Sequence, residues 1–153
     1  MAAISLGLVL PVSHSFAQTP PKIDFAVHPF PQMSVHVSAK GSATYFPDRL
    51  VVNLRTLRLK DVSRHGNATI ESVGMETYAL DEKELGRAAR VLLHKELSKD
   101  GELRFENVEL VVSMDAPIED FIFYLAVYMP SGEFWISQKV EMPGLARARN
   151  PQR

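Results

Sequence analysis

The 153-residue chain carries 17 Lys and Arg against 18 Asp and Glu, a net charge of -1, so no global field draws it to nucleic acid or acidic lipid. Its 46% hydrophobic and 23% charged residues are ordinary for a soluble globular protein, and the length suits one domain. The absence of cysteine excludes disulfides, thiolate metal sites, a cysteine nucleophile and a lipidated cysteine.

Residues 1–17 have the pattern of a secretory signal peptide. Ala2–Val12 is apolar, and Ser15-Phe16-Ala17 forms a small-x-small cleavage site before Gln18, although no Lys or Arg precedes the apolar run. The alternative is a disordered N-terminus or a mis-chosen start. The run is shorter than the roughly 20 apolar residues of a membrane span. The expectation is export to a periplasm or the medium, with no membrane anchor.

Residues 18–33 contain Pro20, Pro21, Pro29 and Pro31, which predicts an extended linker or a first edge segment. Ser34–Lys40 alternates, with Val35, Val37 and Ala39 on one face, as a half-buried strand does. In Leu50–Lys60 the apolar parity switches between Leu54 and Leu57, which predicts a bulge at Arg55-Thr56. Arg55, Arg58, Lys60 and Arg64 form a basic cluster, either a solvated strand face or a dock for an acidic partner. Asn67-Ala68-Thr69 fits the glycosylation acceptor pattern. Ile70–Leu80 reads as a strand with Val73, Met75, Thr77 and Ala79 on one parity and Gly74 as a weak point.

Asp81–Leu97 is the one predicted helix, from the Asp81/Glu84 capping-box spacing and the stripe Leu85, Ala88/Ala89, Leu92 and Leu93. A rival reading makes Arg90–Leu97 a strand that turns at Lys99-Asp100-Gly101 into the next. Glu102–Met114 is a strand region whose parity slips near Asn107, and Asp115–Asp120 is an acidic loop. Phe121–Val140 is a hairpin pattern, two β-rich runs around Pro130-Ser131-Gly132. A two-residue Ser131-Gly132 loop would pair Tyr128 with Trp135, Val127 with Ile136 and Phe123 with Val140. Phe134 and Ile136 then face the core, while Tyr124, Tyr128 and Trp135 share the opposite face. A three-residue loop would shift this register by one. Residues 143–153, with Arg147, Arg149 and Arg153, read as a disordered basic tail.

These elements predict an all-β fold over residues 34–142: a small antiparallel β-sandwich or open barrel of six to seven strands with one inserted helix. No nucleophile elbow, phosphate loop or zinc-helix motif is present, and the five histidines have no ligand spacing. Asp115, Glu119 and Asp120 would suit calcium, or a solvated acidic loop. No catalytic residue, metal site or cofactor is therefore expected. The candidate partner-binding residues are Tyr124, Tyr128 and Trp135, whose rings offer large contact area at low entropy cost, unless the Asp81–Leu97 helix covers them.

The order of motifs resembles the YscW/YbaY-like family of type III secretion lipoprotein chaperones and pilotins. The residues that carry the resemblance are Tyr45-Phe46-Pro47-Asp48, Leu57-Arg58-Leu59-Lys60-Asp61-Val62-Ser63, Leu103-Arg104-Phe105, Val108–Asp115, and Ile118 to Tyr128 followed by Gly132-Glu133-Phe134-Trp135. The match covers about residues 34–140. The resemblance implies a small β-sandwich that chaperones a secretion-system protein such as a secretin. Without a cysteine to lipidate, it implies a soluble periplasmic relative with no outer-membrane trafficking role of its own. Beside this non-enzymatic binding module stands a second expectation: a secreted sandwich that binds a ligand or inhibits a protease through the Asp115–Asp120 and Pro130–Gly132 loops.

Overall fold

The computed structural model describes residues 19–62, 67–114 and 116–150. The signal peptide reading, Arg64 and Asp115 lie outside the described residues. Strands β1 (Lys22–Val27), β2 (Val35–Tyr45), β3 (Arg49–Asp61) and β7 (Glu102–Ser113) form one antiparallel sheet in the order β1-β2-β3-β7. The second sheet is built on the pair β4 (Ala68–Ala79) and β8 (Phe121–Tyr128). Strands β5 (Glu84–Arg87) and β6 (Val91–Leu97) share the far edge of β4. Strands β9 (Phe134–Ile136) and β10 (Val140–Met142) share the far edge of β8. The fold is the expected all-β sandwich and not a closed barrel, but with ten strands among the described residues against the six to seven expected, because short edge segments pair as well; single bridges join the sheets at either side, Pro29 to Ser137 and Ala88 to Val112.

Alternation sets the layers. Leu50, Val52 and Leu54 on β3 point inward with Val108, Leu110 and Val112 on β7, against Met75, Phe123, Leu125 and Val127 of the other sheet. The parity switch at Arg55 is a bulge: β3 resumes pairing with β2 at Thr56, one residue out of step, which returns Leu57 and Leu59 to the core. The slip at Asn107 has the same cause, because its left-handed backbone (φ 54°) lets Phe105 and Val108 both turn inward. Phe25 of β1 meets Phe123 edge-on at 5.1 Å between ring centroids, joining the two sheets.

Three expectations need correction. Asp81–Leu97 is not a helix but β5 and β6, both paired with β4. The open edge of β4 presents backbone donors and acceptors that need partners, and a ladder supplies them where a helix would not. Leu93 and Leu97, an even number of residues apart on β6, nevertheless reach the core, and His94 (φ 45°) lies at the register shift between them. The strand in the rival reading is therefore present, but its turn crosses to the first sheet, where β7 pairs with β3, and closes no hairpin. Second, of the two readings of residues 18–33 the linker gives way over Lys22–Val27 to the first edge segment, which is β1, zipped to β2. Third, the tail is ordered over Leu145–Arg149, a short helix α1 with Ala148 buried. Asp120 holds it, accepting the Gly144 N–H at 2.7 Å and the Arg147 guanidinium at 2.5 Å. Tyr45 donates its hydroxyl to the Pro143 carbonyl at 2.7 Å. The Gly144 N–H, and then Arg147, hold the Asp120 carboxyl below its ordinary range. This tether is thus intact above the usual carboxylate pKa and is lost as pH falls through the lowered one.

The hairpin has the three-residue loop. Gly132 N–H donates to the Met129 carbonyl at 2.9 Å, Met129 N–H to the Glu133 carbonyl at 2.8 Å, and Gly132 sits at φ 88°. Proline after the first turn residue and glycine at the left-handed position are the residues such a loop asks for. Tyr128 then pairs with Phe134, Val127 with Trp135 and Ala126 with Ile136. Beyond β9 the chain slips once more, around Ser137, and Val140 pairs with Phe123 as expected. Trp135 therefore packs against the core and donates its indole N–H to Ser34 Oγ at 2.9 Å, whereas Phe134 is 52% exposed.

The two rings separate in a stability measurement. Trp135→Ala should cost about 2 kcal/mol or more by urea unfolding, as a packed side chain does. Phe134→Ala should stay within about 0.5 kcal/mol. Equal losses would contradict this register.

Candidate functional site

The outer face of the second sheet is a layer of rings and guanidinium groups on a floor of small residues. Along β4 the outward parity is Ser72, Gly74, Glu76 and Tyr78, paired in turn with Tyr128, Ala126, Tyr124 and Ile122 of β8. Gly74 and Ala126 leave the centre of this face without bulk. Tyr128 occupies that space: a Cβ on Gly74 would stand 3.3 Å from its ring. The ring lies along β4, so its hydroxyl reaches Glu76 Oε1 at 3.2 Å. The Arg90 guanidinium stacks on the exposed side, 3.6 Å from the ring centroid, and Phe134 packs beside it at 5.6 Å between centroids. Tyr128 is thereby only 7% exposed.

Glu76 is itself buried, and its charge is met by Arg87, whose Nε is 2.9 Å from Oε2 and 2.7 Å from Glu84 Oε1. Beyond it Tyr78 and Tyr124 stack at 5.8 Å with their hydroxyls 3.2 Å apart. Burial raises the phenols of Tyr124 and Tyr128, with the Tyr78 hydroxyl adding to the first and Glu76 to the second. Burial likewise raises the phenol of Tyr45.

The register places four residues in one lateral row: Leu92 of β6, Ser72, Tyr128 and Phe134. Its two ends are apolar side chains open to solvent, Leu92 at 64% and Phe134 at 52%. Among the described residues no third layer covers them.

Of the residues nominated from sequence, Tyr124 and Tyr128 share this face and Trp135 does not. The one-residue shift turns Trp135 inward and exchanges it for Phe134. Tyr128 is less a free contact than the piece that holds Arg90 in place. Sequence reasoning missed Phe134, Leu92, Arg90 and Glu76. The Pro130-to-Gly132 spacing was the available signal for Phe134; Leu92 and Arg90 were hidden by the helix assignment.

The other candidate sites separate. The basic cluster is paired across strands, Arg55 with Asp24 at 3.3 Å and Arg58 with Glu102 at 2.6 Å, as a solvated face would be. The two nominated loops lie at opposite ends of β8, whose eight residues span about 26 Å, so they cannot build one site. The Pro117–Asp120 segment instead borders a surface groove of about 730 Å³, shared with Leu80, Leu145 and Arg149. Asp120 is committed there to Gly144 and Arg147, and among the described residues no cluster of three or more His, Asp or Glu could hold a metal ion.

The raised phenols make stability fall at alkaline pH. A phenol whose folded pKa exceeds the unfolded value of about 10 contributes below that pH and loses its contribution as pH rises through the folded value. Unfolding free energy should therefore drop above about pH 10, and less steeply in Tyr124→Phe. An unchanged alkaline slope in that variant, followed by denaturant titration, would remove Tyr124 from this account.

No family model matches the chain, and no curated protein matches it. Among solved structures, the chain is similar to the X-ray structure of Northeast Structural Genomics Consortium target SoR45. The two are 14% identical with a TM-score of 0.43, over 73% of this chain and 89% of that one.

Proposed function

We propose that this protein is a non-enzymatic binding module that holds an extended segment of a protein partner on the outer face of its second sheet. The observation that carries this reading is the lateral row from Leu92 to Phe134. Two large apolar side chains stand open to solvent at its ends, joined by a rigid ring layer with no covering element among the described residues. Exposed apolar groups joined across a fixed surface mark an interaction site more than a solvated one. The layer is already ordered by Gly74, Glu76 and Arg90, so little conformational freedom is lost when a partner settles on it.

The resemblance of residues 34–140 to the YscW/YbaY-like family supplies the partner class. The proposal is a chaperone-like, pilotin-like role toward a secretin or another secretion-apparatus subunit. In this reading the protein is exported, acts in the periplasm or outside the cell, and needs no catalytic residue, cofactor or lipid anchor. A loop-borne ligand site is the second reading, favoured by the groove between Leu80, Pro117 and Leu145.

Affinity capture from the host envelope fraction with the whole chain as bait tests both. The expected result is recovery of a secretion-apparatus subunit, lost with the double substitution Leu92→Ser and Phe134→Ser and kept with Leu80→Asp. The reverse pattern would place binding in the groove.

A further inference from the structure

Arg90 stands beside the Leu92-to-Phe134 row, two residues before Leu92. Its neighbour Arg87 is paired with Glu76 and Glu84. Arg90 makes no ion pair with a carboxylate among the described residues, and its guanidinium is instead spread on the Tyr128 ring. Its stem is placed as well: a Cβ at Gly74 would lie 3.6 Å from Arg90 Cγ, so the side chain runs across the sheet floor. A guanidinium fixed by stacking keeps its N–H edges for a planar acceptor, and has lost much of the rotamer freedom that binding would otherwise remove.

The dimensions of the row say how that acceptor is presented. Leu92 and Phe134 are three strand positions apart, which at about 4.8 Å per strand is about 14 Å. An extended chain advances about 3.3 Å per residue and returns to the same face every second residue, so residues i and i+4 are about 13 Å apart. Residue i+2 then falls midway, beside the Arg90 guanidinium, which lies on the Tyr128 ring near Gly74, one pleat along β4 from the row and within reach of an acidic side chain. A helix places i and i+4 only about 6 Å apart, so the same five-residue spacing reaches both ends only in an extended chain.

We propose that this face binds an extended segment of pattern apolar-x-acidic-x-apolar, with its two apolar side chains on Leu92 and Phe134 and its carboxylate on Arg90. This rests on the reading that the face holds a protein segment, and adds the chemistry of that segment. A basic residue at the centre is disfavoured by the Arg90 charge. A polyanion would meet the Glu84 carboxylate on the same face.

The test uses the whole chain and synthetic end-blocked peptides. The probes are Leu-Ser-Glu-Ser-Phe, the same peptide with Gln or with Lys at the centre, and a spacer variant with one extra Ser before Phe. Binding is followed through the NMR shifts of the Arg90 Nε–H and the Phe134 amide. The Glu peptide should bind the wild-type protein about three- to ten-fold more tightly than the Gln peptide, the scale of one charge-assisted contact at a partly exposed site. The Lys and spacer peptides should bind more weakly than the Glu peptide. The Glu-over-Gln preference should vanish in Arg90→Gln and survive in part in Arg90→Lys. Arg90→Lys, which keeps a cation at the ring, should keep near-wild-type Phe134 and Glu76 amide shifts, and Arg90→Gln should keep the dispersed spectrum of the folded protein with changes confined to residues around Tyr128.

Equal binding of Glu and Gln peptides, or a preference that persists in Arg90→Gln, would overturn the inference. If that binding still disappeared in Phe134→Ser, the broader reading of the face would stand without it. Absence of binding by every peptide at millimolar concentration would overturn both.

Discussion

The arrangement of this molecule depends on one tight turn. Proline at 130 and a left-handed glycine at 132 make a three-residue loop, and the odd length of that loop decides which ring of the pair Phe134-Trp135 goes inward. Trp135 goes in, reaches across to Ser34 and ties β9 to the first sheet. Phe134 goes out and extends the Tyr128 layer. Had the loop been one residue shorter, the core would have received the smaller ring and the outer face an indole.

That outer face meets a problem common to two-layer sandwiches, since a sheet carrying tyrosines on both central strands exposes them unless something covers them. Here the covering is made of side chains. Gly74 removes bulk, Tyr128 folds into the space, and Arg90 closes over it. The arrangement buries Glu76, which a charge tolerates only with a close partner, and Arg87 provides one. The layer is therefore fixed at its centre and open at its rim, where Leu92 and Phe134 emerge.

Much of the fold was legible because period-two patterning is local. The bulges at Arg55 and Asn107 could be read as parity slips several residues long, and the inward sets on either side of each hold in the structure. What was not legible depended on partners distant in sequence. The 84–97 segment has a helix-like apolar stripe, and only the unpaired edge of β4 decides that it is strand. The last turn of chain orders because Asp120 waits 27 residues upstream of Arg147. At the candidate site the face was found and one of its rings misplaced. Tyr124 and Tyr128 follow from alternation alone, while Phe134 required the loop length, and Arg90 the pairing of β6 with β4.

The central claim is that the Leu92-to-Phe134 row receives a segment of a protein partner. A benzophenone side chain installed at position 134 or at position 92, with position 109 on the outer face of the first sheet as control, tests it by photo-crosslinking in the native host. The account predicts adducts from 134 and 92 that map by mass spectrometry to a single short stretch of one partner, with none from 109. Adducts from 109 alone, or from 134 and 92 to unrelated proteins, would contradict it.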